Sequence, residues 1–219
     1  MTTRYTLIVG TRNWSSWSLR PYLALRHIGV PFAEELIHLR RDTTHADLER
    51  RTPAGRVPVL EIEENGSRYA IWDSLAILET LAERHPEAGL WPDDARARAE
   101  ARSLAAEMHS GFADVRDQLT MNFARALPAP QLRDATNAQI ARIVAAWSDT
   151  LSRYGTNGGF LFGRFSAADC MYAPVVSRFR TYGIALPPAL VDYSSRIFAL
   201  PAMQDWKRAA QAEIDAGLA

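Results

Sequence analysis

A chain of 219 residues that is 47% hydrophobic and 23% charged can bury a sizeable core in one large domain or two small ones. Its 25 basic and 25 acidic side chains cancel, which removes the electrostatic reason to expect a nucleic-acid or acidic-membrane partner and leaves small molecules and proteins. The single cysteine, Cys170, excludes an internal disulfide framework, and the apolar run in MTTRYTLIVG is too short for a signal peptide or membrane span, so a cytoplasmic protein is expected.

Strand and helix signals alternate through the first third. Tyr5–Gly10 is a short apolar, β-branched run, and Leu19–Ile28 carries apolar residues at helical spacing until Gly29 breaks the pattern. Pro31–Leu39 reads as a second strand, and the charged segment Asp42–Arg51 as a short helix. RVPVLEIEENGSRYAIW then reads as two strands around an Asn65-Gly66 turn. Asp73–Arg84 is again apolar at helical spacing and stops before Pro86. The order β-α-β-α-β-β-α, with a parallel crossover first and an antiparallel hairpin last, is the thioredoxin arrangement. The Pro- and Gly-containing segment 85–95 reads as a linker, separating an α/β domain over 1–84 from an all-α domain over 96–219. In the second domain an Ala-rich helix is expected to run to about Phe123, another over Asn137–Tyr154, and further pieces to the C-terminus.

Three places carry candidate chemistry. In RNWSSWSLRPYLAL, Ser15, Ser16 and Ser18 gather where the first helix begins, and capping accounts for only one of them. A thioredoxin-like fold places a redox C-x-x-C at that spot. Here the spacing is Ser15-x-x-Ser18, which performs no disulfide exchange but suits a thiolate arriving on a ligand, because the helix dipole favours negative charge there. In RVPVL, Pro58 inside an apolar strand requires an edge or a bend: a trans bond is the common case, and a cis Val57-Pro58 bond frees the Val57 backbone to pair with an extended peptide. In WDSLAILETLAE, Asp73 and Ser74 either merely cap the helix or grip an α-amino acid moiety, the serine and helix end taking its carboxylate and the aspartate its ammonium. The five histidines, His27, His38, His45, His85 and His109, lack metal-ligand spacing and read as surface or satisfied side chains. Cys170 reads as core.

Together these residues carry a resemblance. Over nearly its whole length the chain resembles the cytosolic glutathione transferases, through Val57-Pro58, through Asp73-Ser74 followed by LAIL, and through FSAADCMYAPV with Ser166 and Asp169 as a helix capping box. Within the family, SSWSLRPYLAL is similar to the serine-type pattern SSCxWRVRIAL of the zeta class, which includes maleylacetoacetate isomerases; Ser15, Ser16, Ser18, Arg20, Ala24 and Leu25 fit in register. Trp17 stands where the class has cysteine, Leu19 where it has tryptophan, and Pro21-Tyr22 where it has Val-Arg, so the zeta substrate does not carry over. Gly55 falls where some relatives place a glutathione-contacting side chain, beside Arg56.

The resemblance implies glutathione as co-substrate, its cysteine backbone on Val57 with Pro58 in cis, its γ-glutamyl head on Asp73 and Ser74, and Arg56 nearby. It implies a sulfur activated by Ser15, with Ser16 the runner-up and Ser18 bonding backbone, for attack on a small electrophile, and a two-fold homodimer. Trp14 and Trp17, with Met108, Phe112 and Arg116 on one face of the long helix by their i, i+4 spacing, are then expected to line the electrophile pocket. A maleylacetoacetate-type isomerase and a non-catalytic interaction module are the competing readings.

Overall fold

The computed structural model describes residues 3–219. Its first part is a four-stranded mixed sheet of β1 (Arg4–Gly10), β2 (Phe32–Ile37), β3 (Val59–Glu64) and β4 (Ser67–Trp72), in the order β2-β1-β3-β4. β1 runs parallel to β2 across the crossover helix α1 (Ser16–Ile28), and β3 is antiparallel to both β1 and β4. β1 is buried on both faces. Leu7 and Val9 enter the large core beneath α1 and α3 (Ser74–Arg84), while Ile8 joins Ile37 and Val59 in a smaller core covered by Leu48 of α2 (Thr44–Arg51). The β3–β4 hairpin turns on Asn65 and Gly66 at φ 51° and 78°, the two positive values that a two-residue primed turn requires. The Val57-Pro58 bond is cis and leads directly into β3.

The remainder is helical: α4 (Ala95–Ser110), α5 (Ala113–Gln118), α6 (Asp134–Tyr154), α7 (Ala167–Thr181), α8 (Pro188–Ala199) and α9 (Pro201–Asp215). α7 is the hub. Fourteen of its fifteen residues are buried, and it packs against α1, α4 and α8. It begins with the expected capping box, Ser166 and Asp169, and Cys170 lies in the core.

α1 starts at Ser16, so the three serines lie at its N-cap and in its first turn, where the sequence places them. One expectation is corrected. The long Ala-rich helix does not run to Phe123: it ends at Ser110, where Gly111 is extended and Phe112 takes φ 55°, and α5 starts in a new direction. The break is built into Gly111, because a Cβ there would meet the Glu107 carbonyl at 2.7 Å.

Candidate functional site

The turn Thr11–Trp14 carries the chain from β1 into α1, closed by the Trp14 and Ser15 N–H groups donating to the Thr11 carbonyl at 3.0 and 2.8 Å. The three hydroxyls that follow have different partners. Ser18 Oγ accepts from the Gly10 N–H at 3.1 Å, tying the helix to the end of the strand as a backbone-bonding serine should. Ser15, the N-cap, donates its own hydroxyl to Ser18 Oγ at 2.7 Å and is only 5% exposed. Ser18 one turn later thus draws the Ser15 hydroxyl inward. Ser16 Oγ, equally buried, accepts from Arg178 Nη2 of α7 at 3.2 Å, and among the described residues no bond consumes its proton.

A cavity of about 440 Å³ meets the first turn of α1 at Trp17, and Ser15, Ser16 and Ser18 are not among its lining residues. Its walls bring together Arg56, Val57, Pro58, Asp73 and Ser74 from the first domain, with Trp17 of α1 and His109 of α4; Ala54 and the half-exposed Trp72 complete it. Asp73 does cap α3, its Oδ1 accepting from the Leu75 and Ala76 N–H groups at 2.9 and 3.2 Å. Its Oδ2 faces the cavity and lies 3.2 Å from His109 Nε2. Ser74 is 1% exposed and its hydroxyl oxygen has no partner among the described residues. A buried hydroxyl left unpaired beside a cavity, at the positive end of a helix, is a place for an anionic hydrogen-bonding ligand.

Behind Trp17 three guanidinium groups converge. Arg20 lies 3.9 Å from the Trp17 ring centroid and Arg116 5.5 Å from it, and the His109 ring meets the indole edge-on at 5.4 Å. Arg20 donates Nε–H to the Met171 carbonyl at 3.1 Å, and its Nη1 is buried without a partner. Burial pushes the Arg20 pKa well down, assisted by the neighbouring Arg178 and Arg116. Burial likewise brings Arg178 down to about 10, with Arg116 adding to the effect, and lowers Arg116 itself. Arg178 donates to the carbonyls of Arg116 and Leu119, the former at 3.3 Å. Among the described residues none of these three arginines forms a salt bridge with a carboxylate.

Not all expected pocket residues line the cavity. Met108 and Phe112 are core residues at 1% and 6% exposure, and the break at Gly111 leaves Met108 on α4 while Phe112, the N-cap of α5, and Arg116 belong to the next helix, so the shared face inferred from their spacing does not exist. Trp14 instead stacks under Arg40, whose Cζ is 4.4 Å from its ring centroid. His109, read from the sequence as a surface or satisfied histidine, lies in the cavity wall. Its partner Asp73 is on the other domain, and the only local signal was the glycine two residues later. Among the described residues no group of His, Cys, Asp or Glu is disposed to hold a metal ion, and no helix is long and apolar enough to cross a membrane.

Comparison with known proteins agrees with this architecture. The family model described as "Glutathione S-transferase, N-terminal domain" matches residues 14–84, and that described as "Glutathione S-transferase, C-terminal domain" matches 130–209. A probable maleylacetoacetate isomerase of Caenorhabditis elegans is 32% identical over 101 residues, which is 46% of this chain and 44% of that protein. A maleylpyruvate isomerase of a Ralstonia species is 28% identical over 180 residues, covering 80% of this chain and 82% of that protein. Among solved structures, a maleylacetoacetate isomerase from Anaeromyxobacter dehalogenans with bound glutathione superposes with a TM-score of 0.69 at 28% identity, over 94% of this chain and 95% of that one.

Proposed function

The chain belongs to the glutathione S-transferase family, matched in both halves by that family's two domains, and from that premise we propose that it binds glutathione in the cavity beside α1 and turns its thiol into a nucleophile for a small electrophile. The observation that carries the reading is the Ser74 hydroxyl, buried, without a partner among the described residues and set at the N-terminus of α3 beside Asp73, whose Oδ2 lies 3.2 Å from His109 Nε2. A γ-glutamyl group brings a carboxylate to the first and an ammonium to the second. Val57 on the same wall suits the extended cysteine backbone, and the sulfur then falls toward the start of α1.

A free thiol of pKa ~8.5 is only a few per cent ionised at neutral pH, and each unit of lowering needs about 1.4 kcal/mol of differential stabilisation. The α1 terminus supports this, since no acidic residue in its first turn offsets the dipole. A serine hydroxyl supplies the rest. The hydrogen bonds favour Ser16 over Ser15, because Ser15 spends its proton on Ser18 while Ser16 keeps its own and is polarised by Arg178. The thiolate lone pair then forms a C–S bond while a leaving group departs with its electron pair.

A second reading has its own support. The unpaired arginines Arg20, Arg116 and Arg178 favour an electrophile that carries carboxylates, as a conjugated cis diacid does. On such a substrate the thiolate adds to the double bond, the new single bond rotates, and expulsion of the thiolate restores the alkene in trans, which is a glutathione-dependent isomerisation. We place the protein in the cytoplasm and as a two-fold homodimer, in keeping with the family; light scattering that returned the monomer mass would contradict the latter.

The deciding experiment assays the pure protein with glutathione against an aryl halide, a peroxide and a cis-conjugated diacid. In parallel the bound thiol is titrated in Ser15→Ala and Ser16→Ala. Loss of the hydroxyl that acts should raise the thiol pKa and lower kcat/KM near neutral pH, with partial recovery at high pH. If neither variant moves the titration, the serines are structural. Retention on immobilised glutathione with no turnover of any electrophile would mark a binding module instead.

A further inference from the structure

The turn that carries the serines is gripped from the far end of the chain. The Arg12 and Asn13 N–H groups both donate to one oxygen, Oε2 of Glu213 on α9, at 2.6 and 3.4 Å. The other carboxylate oxygen accepts from the Arg12 guanidinium at 3.1 Å, and the second arm of that guanidinium reaches Glu34 of β2 at 2.8 Å. Two turns earlier on the same face of α9, the fully buried Trp206 donates its indole N–H to the Arg12 carbonyl at 3.0 Å. Both polar groups of Arg12's backbone are therefore held by one helix. Asn13 is held from another side, its carbonyl accepting from the Phe123 N–H and its side-chain oxygen from the Ala124 N–H, each at 3.1 Å.

Glu213 is 5% exposed, and among the described residues all the hydrogen bonds of its carboxylate go to a turn some two hundred residues away in sequence rather than to its own helix. A buried carboxylate spent on two backbone N–H groups and one guanidinium of a single irregular turn fixes the shape of that turn. Two residues further on the chain reaches Ser15 and then Ser16.

We propose that Glu213, assisted by Trp206, is a positioning residue for the thiolate chemistry: α9 sets the conformation of the Thr11–Trp14 turn and so the placement of the hydroxyls that follow. The inference rests on the glutathione reading above. It also separates cleanly from a field effect, because the two have opposite signs. The charged groups facing the turn are Arg12, Glu34, Glu213 and Arg40, the last over the Trp14 ring, with Arg20, Arg116 and Arg178 beyond the serines. Neutralising Glu213 removes a negative charge, which by charge alone lowers the pKa of a nearby thiol; loosening the turn raises it.

The test titrates bound glutathione by its thiolate ultraviolet absorbance in wild type, Glu213→Gln and Trp206→Phe, the last removing one hydrogen bond and keeping an aromatic ring. Both variants should raise the thiol pKa by about one unit and lower kcat/KM near neutral pH roughly tenfold, with recovery at high pH. KM for glutathione should stay within about twofold, since the groups assigned to the γ-glutamyl head are untouched. If Glu213→Gln does not fold, Trp206→Phe gives the same reading. A lowered Tm with an unmoved titration, or a shift downward, overturns the proposal while leaving the glutathione reading intact. A wild-type protein that binds glutathione with no thiolate band overturns both.

Discussion

Ser74 sets stability against function within one side chain. Its hydroxyl is buried with no partner among the described residues, a situation that costs about 1–3 kcal/mol and that a glutathione carboxylate bound as proposed would relieve. Ser74→Ala should therefore raise KM for glutathione about tenfold or more, with a smaller effect on kcat, while Tm stays level or rises. An unchanged KM in steady-state kinetics would put the carboxylate elsewhere. Arg116 offers a second test at this scale because, unlike Arg20 and Arg178, it is only half-buried and its side chain makes one long bond, to the His109 carbonyl at 3.4 Å. Arg116→Ala should lower kcat/KM for a carboxylate-bearing electrophile roughly tenfold more than for a neutral aryl halide, as expected for one charge-assisted hydrogen bond. Equal losses on both substrates would reduce Arg116 to a packing role. The sequence made Ser74 and Asp73 legible because an acidic-Ser pair ahead of an apolar helical pattern is a local signal. It did not reveal His109, whose meaning comes from Asp73 on the other domain, nor the inward turn of the Ser15 hydroxyl, which depends on what Ser18 does with the Gly10 N–H.

At the scale of elements, α7 depends on its first turn. Asp169 is buried, and its two oxygens accept from the Ser166 N–H and hydroxyl, each at 2.9 Å, from the Leu161 N–H at 3.2 Å and from the Tyr193 hydroxyl at 3.1 Å. Burial nevertheless outweighs these bonds and raises its pKa to about 6, against 3.8 for a free side chain. A carboxyl whose folded pKa is raised contributes stability that is fully present below its unfolded pKa and is lost as pH climbs through the folded value. The window is about pH 4 to 7, and the amount is on the order of 3 kcal/mol. Asp169→Asn has no such titration and leaves some of the four donors without an acceptor, so it should destabilise by about 2–4 kcal/mol in acid, and that cost should shrink as pH rises. Urea unfolding of both proteins across this window checks the sign; a cost that grows with pH would contradict it. Element existence was largely readable, because period-two strands, the Asn65-Gly66 turn and the capping box are all local features. The end of α4 was not. A single glycine in an Ala-rich run costs a helix only about 1 kcal/mol, and what decides at Gly111 is the clash its missing Cβ avoids.

For the molecule as a whole, the question is whether two domains legible as separate textures in the sequence behave as separate bodies. Domains joined by a linker move independently unless their interface is large and apolar. Here one core cluster runs from Tyr5 on the first strand to Ala210 on the last helix. Every residue of α1 from Ser18 to Leu25 is buried, because the sheet and α3 cover one side and α7 the other. Several polar contacts across the boundary are buried or largely so: Arg20 to the Met171 carbonyl, Arg178 to Ser16, and Glu213 to the Arg12 and Asn13 backbone. Separating the domains would expose the apolar face of α1 and strand these groups together, each costing about 1–3 kcal/mol. The protein should therefore unfold in one transition, with equal calorimetric and van't Hoff enthalpies of about 150 kcal/mol near 60 °C at ~0.7 kcal/mol per residue. A first domain melting alone would give only about 60 kcal/mol on the same scale. Two resolved transitions in scanning calorimetry, or a fragment of residues 1–90 that folds with its own cooperative melt, would show that the sheet domain stands without α7. Placement of the serines would then no longer depend on the integrity of the helical domain.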